Sequence, residues 1–370
     1  MGDMKIMLLV YGARSRFGGA ERRLIRMLNK IGETEDVVLL AMDGNARELQ
    51  ESLSVSSCDA SNFQRVECLG GRSGKLPAFL RLKKTLSLVA EERPDVVHIY
   101  GVGRFPFALL TLLKPMRCHS LLTAANVLHY YGTKTGRHLL APCCRLATHI
   151  DLLYPGQLAF YESLSPTPVT VTPGTFTDLE LFKPAPKRNL IAFVAARLVE
   201  QKNPRLFLEA ISLCADEMRA CGWQALLCGK GEQEAVLRAQ IAALDLADVV
   251  SMPGYVATHE VMPTVRVMCS VQRGGNYPSQ AVAEAAACGC YVLATDEGET
   301  YRMFDPSYME LVPPEDPAAL AAALTRAMHL SEEEWARIAV AARAWAEKNF
   351  DMEASVAYFK DVYRKTAADA

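Results

Sequence analysis

Arg197 and Lys202, in the segment Arg-Leu-Val-Glu-Gln-Lys, leave the apolar run Ile-Ala-Phe-Val-Ala-Ala and place two cations five positions apart. At the carboxyl end of a strand such a pair can converge on one diphosphate, the guanidinium as a fork and the ammonium as a point charge. Taken alone, it reads better as a solvated loop. The segment Gly274 to Gly289, GGNYPSQAVAEAAACG, precedes the apolar run YVLATD. Pro278 suits the N1 position of a helix whose first turn carries Ser279, Gln280 and Ala281, so free N–H groups and polar side chains are offered to a ligand there. Glu284 lies further along a helix otherwise built of Ala and Val. A carboxylate in such surroundings needs a partner. Ribose hydroxyls, a backbone N–H and a neighbouring arginine would each serve.

Two glycine pairs also sit between strand and helix patterns. Gly18-Gly19, in ARSRFGGAER, lets another molecule approach the backbone at a helix start, and Gly229-Lys230-Gly231 follows WQALLC. Neither matches the dinucleotide fingerprint, and both read first as tight turns.

These loops need strands to carry them. The first half alternates apolar runs (KIMLLVYG, VVLLAMD, DVVHIYG, HSLLTA, HIDLLYP, PVTVTPG) with helical patterns, the alternation of a parallel α/β sheet. After the connector LFKPAPKRN it restarts with LIAFVAARL, then WQALLCG, VVSMPGYV, MCSVQRGG and YVLATD, each separated by helical patterns or turns. A restart after such a connector marks a domain boundary. From Asp316 onward come three amphipathic helical patterns, the last without a strand. The reading is therefore two Rossmann-like parallel-sheet domains, residues 1–180 and 187–345, facing a central cleft, with 346–370 a helix that returns to the first. Open α/β sheets bind ligands beyond the carboxyl ends of their strands, which puts the loops above at that cleft.

Composition excludes other classes. The 370 residues are half hydrophobic and 22% charged, with mean hydropathy +0.06 and no run of roughly 18 uninterrupted apolar residues for a membrane helix. No signal-peptide pattern precedes Lys5, so a cytoplasmic protein is expected. The odd count of eleven cysteines, mostly in apolar segments, fits reduced packing residues. No C-x-x-C pair occurs, and Cys143-Cys144 and Cys288-x-Cys290 lack histidines at zinc spacing, so no metal site is expected. Residues 1–180 carry 21 basic and 17 acidic side chains, the remainder 19 and 25. That balance is wrong for a nucleic-acid binder. The basic helix Leu76 to Leu88, with Arg81, Lys83 and Lys84, offers peripheral contact with anionic lipid at the inner membrane face, though a solvated face explains it as well.

In this order and spacing, GGAER after the first strand, PDVVH in a later one, R-x4-K opening the second domain, and E-A-x-A-C-G before a strand ending in A-T-D resemble the retaining GT-B glycosyltransferases of family four (glycosyl transferases group 1). The resemblance covers nearly the whole chain and is nearest to bacterial members that build polysaccharides and glycoconjugates. It implies a hexosyltransferase-like enzyme without metal or other cofactor, taking a sugar from a UDP- or GDP-type donor to a glycan, lipid-linked or small-molecule acceptor. Under it, Arg197 and Lys202 would hold the diphosphate and Glu284 the ribose. Ser279, Gln280 and Ala281 would receive phosphate oxygens. Tyr255 and Val256 would meet the nucleobase, and Gly18 and Gly19 would let donor or acceptor sugar approach.

The sequence departs from that family at the sugar. The first glutamate of the family pattern aligns with Asn276 or Gly275, and the histidine of its Thr-x-His strand with Ala125. His98, Asn126, Asn276 and Glu299 are the candidates to compensate, although a histidine on the strand DVVHIYG is more often buried and bonded to backbone than catalytic. A catalytically degenerate nucleotide-sugar-binding protein and another GT-B reaction, epimerase or phosphorylase, are the alternatives.

Overall fold

Strand β1 (Lys5–Val10) is six residues of KIMLLV, buried from Ile6 onward, as a central parallel strand covered on both faces must be. The chain then builds, in the computed structural model, α1 (Gly19–Ile31), β2 (Asp36–Ala41), α2 (Ala46–Val55), β3 (Arg65–Cys68), α3 (Ala78–Glu92), β4 (Val96–Tyr100), α4 (Arg104–Leu113), β5 (His119–Ala124), α5 (Lys134–Leu146), β6 (His149–Leu152), α6 (Leu158–Leu164) and β7 (Val169–Val171). These strands form one parallel sheet in the order β3-β2-β1-β4-β5-β6-β7. The structure describes residues 4–10, 19–55, 58–70, 76–124 and 134–368, with backbone alone for 19–22, 55, 134–137 and 196.

A second set follows: β8 (Arg188–Arg197), α7 (Pro204–Ala220), β9 (Gln224–Lys230), α8 (Glu234–Ala243), β10 (Val250–Gly254), α9 (Thr258–Val261), β11 (Val265–Ser270), α10 (Gln280–Ala287), β12 (Tyr291–Thr295), β13 (Met309–Val312), α11 (Pro317–Met328) and α12 (Glu332–Asn349). Its sheet is also parallel, in the order β10-β9-β8-β11-β12-β13. The last helix, α13 (Met352–Ala368), has no strand of its own. Contacts divide the chain into Met1–Gly174 with Glu353–Ala370, and Thr175–Met352. Both units are Rossmann-like α/β layers, the fold class the alternation predicts.

Each sheet reverses its strand order once, between β1 and β4 and between β8 and β11. Loops leaving the carboxyl ends at such a point splay apart, which opens room for a ligand. In the second unit, one face of the sheet packs Phe207, Ile211, Leu237 and Leu324 against Ile191 and Leu227. The other face packs Val282 to Ala287 of α10 and Ala342 of α12 against Met268 and Val292. Small residues on α10 allow this close stacking, since α10 lies between the sheet and α12.

Two strands had no signal in the pattern. β3 (RVEC) and β13 (MELV) are both edges, and neither is buried throughout. An edge strand with a wet side needs no continuous apolar run. Among the described residues no helix is long and apolar enough to cross a membrane.

Helix α13 packs on the first unit through Phe359, Val362 and Tyr363, all buried. In α3, Arg81 donates to the Met42 carbonyl at 2.8 Å and Lys84 pairs with Glu67 at 2.9 Å. Of its three basic side chains only Lys83 is left unengaged among the described residues.

Candidate functional site

The carboxyl ends of β8, β9 and β11 bring together three cations. Arg197 closes β8 and stands in register beside Lys230, the last residue of β9. Both are exposed. Glycines make this approach possible: a Cβ on Gly229 would lie 2.2 Å from the Ala195 carbonyl, and one on Gly231 2.4 Å from that of Leu198. The Gly229-Lys230-Gly231 turn is thus a close-packing device that carries a cation, a role its sequence signal did not reveal. The Lys230 stem crosses the end of β10, where a Cβ on Gly254 would meet its Cε at 3.3 Å. Tyr255 and Val256, both half-buried, follow at once.

Lys202 completes the group from the next turn. Its ammonium donates to Gln272 Oε1, and the Gln272 amide donates to the Gly275 carbonyl. This joins the loop after β8 to the loop after β11 across the switch point. Burial, with the charge of Arg197, pushes the Lys202 ammonium down to about 8. Among the described residues no carboxylate pairs with Arg197, Lys202 or Lys230. Three cations at these strand ends give the edge a positive field, one that suits an anion.

Arg273, which the sequence does not single out, fixes these loops. It donates through Nε and Nη2 to both oxygens of Glu315 at 2.8 and 3.0 Å, through Nη1 to Glu200 at 3.1 Å, and through its backbone N–H to the Gln201 carbonyl at 2.9 Å. Asn203 Nδ2 donates to the same Glu315 carboxylate at 2.8 Å. The latch holds the turn carrying Lys202 on both sides. Its partners lie 42 and 73 positions apart from Arg273, beyond any local pattern.

The loop after β11 is closed to the carboxylate that the family resemblance would place in it. Gly275 has φ +95°, and a Cβ there would lie 2.7 Å from the Glu297 carbonyl. Asn276 is 1% exposed. It accepts from Ser270 Oγ at 2.6 Å, donates to Thr295 Oγ1 at 3.0 Å, and its backbone N–H donates to Thr300 Oγ1 at 2.7 Å. As placed, Asn276 secures the loop and offers nothing to a ligand.

Ser279 is the N-cap of α10 and accepts from the Val282 N–H at 3.3 Å. That leaves the N–H groups of Gln280 and Ala281 as the first two of the helix, outside its internal ladder. The Gln280 amide is engaged elsewhere, donating to the Phe176 carbonyl at 2.9 Å and accepting from Thr175 Oγ1 at 3.2 Å. Glu284 is 3% exposed on α10. Glu299 pairs with Arg302 at 2.5 Å, one turn into the loop after β12.

In the first unit, Gly19 opens α1, while Gly18, Ala125 and Asn126 lie outside the described residues. His98 corrects the expectation of a compensating sugar-site residue. It is wholly buried on β4, with Nδ1 2.7 Å from Tyr363 OH and Nε2 2.7 Å from Thr123 Oγ1. Thr123 Oγ1 donates on to Asp151 at 3.4 Å, so it accepts the imidazole Nε2–H, and Tyr363 donates to Nδ1. Burial holds this neutral ring's pKa down at about 3. His98 is a core residue that docks α13.

Known proteins share this architecture. HepE of Anabaena, solved with UDP and glucose, is similar over 98% of this chain and 100% of its own at a TM-score of 0.80 and 17% identity. Sucrose-phosphate synthase of Thermosynechococcus elongatus is similar over 99% and 100% at 0.78 and 16%. TarM of S. aureus, as a G117R mutant with fondaparinux, α-GlcNAc-glycerol and UDP, is similar over 97% and 99% at 0.74 and 11%. No curated protein matches the chain in sequence. The fold is therefore the GT-B fold. Residues 188–329, which carry all three cations, match the family Glycosyl transferases group 1. Fold and family match together define a glycosyltransferase of the GT-B type, the class that transfers a sugar from a nucleotide-sugar donor.

Proposed function

We propose that this glycosyltransferase is a retaining, metal-independent enzyme that holds the diphosphate of a UDP-type sugar on Arg197, Lys202 and Lys230. The observation that carries the reading is the group of three cations at and just after the carboxyl ends of β8 and β9, with no carboxylate partner among the described residues. Breaking the bond between the anomeric carbon and the phosphate oxygen gathers negative charge on the leaving diphosphate. Cations already in place there lower the barrier, and they do so without reorganising. The first two N–H groups of α10, at Gln280 and Ala281, add a helix N-terminus for phosphate oxygens, with Ser279 fixing the turn. Glu284 takes the ribose hydroxyls, and Tyr255 with Val256 lies against the base. The leaving oxygen takes the acceptor's proton as the acceptor oxygen bonds to the same face of the sugar, so configuration is retained and no protein base is demanded. A glycan, lipid-linked or small-molecule acceptor, a cytoplasmic location and a place in polysaccharide biosynthesis belong to the same reading.

A second reading, a nucleotide-sugar-binding protein without turnover, is favoured by one observation: Gly275 and Asn276 leave no carboxylate at the family's sugar-contacting position. Calorimetric titration with UDP-, GDP- and ADP-sugars in the presence of EDTA, beside a hydrolysis and transfer assay, tests both. Binding with turnover supports the enzyme, and binding without turnover the second reading. Absence of binding by any of them at millimolar concentration removes the diphosphate site altogether.

A further inference from the structure

On the opposite edge of the second unit, helices α7 and α11 pack side by side and end together. Their carboxyl-terminal ends carry three side chains of a different chemistry. Glu217 lies in the last turn of α7, Cys221 caps that helix, and His329 caps α11. One oxygen of Glu217, Oε1, lies 3.2 Å from Cys221 Sγ and 2.9 Å from His329 Nε2. All three candidate ligand atoms fall within 4.8 Å of one another. We infer that Glu217, Cys221 and His329 form a binding site for one Zn²⁺ ion, with water in the fourth position.

Donor type, spacing and field agree on this. Thiolate, imidazole and carboxylate are the zinc ligand set, and the thiolate–imidazole pair disfavours the hard ions Mg²⁺ and Ca²⁺. Tetrahedral zinc bonds would set the carboxylate oxygen about 3.4 Å from the imidazole nitrogen and about 3.6 Å from the sulfur. Those two edges therefore need to open by only about half an ångström, while the sulfur and the imidazole nitrogen, within 4.8 Å of each other, come to about 3.6 Å. Glu217 and His329 are 37% and 59% exposed, so they are free to do so. Glu217 and Cys221, four apart across a helix end, lie on one face. The partial negative charges of two helix carboxyl termini converge on the same point, a field that favours a cation.

In the metal-free state the Glu217 carboxylate accepts the Cys221 S–H and raises that thiol's pKa. Zinc would form the Zn–S bond as the S–H bond breaks, and the proton leaves to water. The imidazole, which donates Nε2–H to Glu217 when neutral, must carry its proton on Nδ1 to ligate through Nε2. The ion would clip together two helices that enter the sheet far apart in sequence. It lies away from the cations at the carboxyl ends of the strands, so it supplies a structural site and leaves the proposed transfer metal-independent.

The test uses the full-length reduced protein, stripped with chelator and titrated with Zn²⁺ against a chromophoric competitor. Zinc should bind at one equivalent and protect Cys221 from alkylation, read by peptide mass, while the other half-buried thiols, Cys58, Cys68 and Cys118, continue to react. His329→Ala, at an exposed helix cap, should stay folded and weaken zinc at least about tenfold, since even a partner of a ligand is worth about 10–100-fold. Cys221→Ser should weaken it further. Zinc binding unchanged in His329→Ala and Cys221→Ser, or bound zinc that leaves Cys221 as reactive as before, overturns the assignment. So does absence of binding at micromolar zinc.

Discussion

The two units each gather titratable side chains, and they treat them in opposite ways. In the first, Tyr363, His98, Thr123, Asp151, Thr172 and Tyr358 form a closed chain of hydrogen bonds beneath α13, with Thr172 and Tyr358 donating to Asp151 at 2.6 and 2.8 Å. The imidazole and the carboxylate in it are wholly buried, and each has its partners. In the second, Arg197, Lys202 and Lys230 place three like charges at the strand ends, with no carboxylate partner among the described residues. A satisfied network fixes a fold and leaves nothing over for a ligand, whereas unpaired like charges cost stability until an anion arrives. By that contrast His98, the more chemical-looking residue in sequence, is structural, and Lys230, which looks like part of a turn, stands beside Arg197 at the strand ends.

The contrast breaks most sharply at Arg197. If its charge serves the leaving diphosphate, Arg197→Ala should lower turnover on the order of a hundredfold or more without lowering the melting temperature, because the side chain is exposed, packs no core and adds to the like charge there. Loss of melting temperature with turnover intact would reverse the assignment. The complementary change is Tyr363→Phe in the first unit. Removing the hydroxyl leaves His98 Nδ1 buried without a donor, at a cost of about 1–3 kcal/mol. Thermal unfolding should register that loss, and nucleotide affinity should not.

Much of this contrast was legible in the sequence, for stated reasons. Central strands such as KIMLLV and LIAFVAAR are apolar on both faces, so they announce themselves. Edge strands β3 and β13 do not, because their wet sides admit Arg65, Glu67 and Glu310. Spacing alone left Arg197 and Lys202 a solvated loop, and the family resemblance singled them out; proximity across the sheet decides the rest. Lys230 meets Arg197 only through the β8–β9 register, and Arg273 meets Glu200 and Glu315 only once three loops have folded. The Glu217–Cys221–His329 cluster escapes a search for zinc spacing because its third member arrives from another helix. For His98 the buried reading holds, but its partners are side chains and not backbone, since a strand pattern gives no sign that Tyr363 of a later helix will cover it.

Acid should stabilise the first network. Burial holds Asp151 up at about 6, above the ordinary carboxylate range, against the opposing pull of its hydroxyl donors and the Arg23 charge. The folded chain therefore binds a proton at Asp151 that the unfolded chain has already released between about pH 4 and 6. Its contribution is present in full below that window and falls as pH rises through it, levelling above about 6. Relative to Asp151→Asn, which cannot titrate, the native protein should gain stability as pH falls from 6 to 4. A difference between the two that is flat in pH would mean that the carboxylate is charged when buried, with Arg23 as its counterion.

Lys202 gives the smallest effect and the finest test of the comparison. Its ammonium is held at about 8 by burial and by Arg197, so above that pH the free protein has lost the proton. A diphosphate beside it favours the charged form, and binding must then take a proton up from solvent. Donor affinity should be level below pH 8 and weaken above it by at most about tenfold per pH unit, the limit for one proton. Lys202→Arg keeps a charge that does not titrate in this range, and should abolish the alkaline limb even if the guanidinium fits less well. An alkaline limb that persists unchanged in Lys202→Arg would mean that the diphosphate does not sit against the Lys202 ammonium.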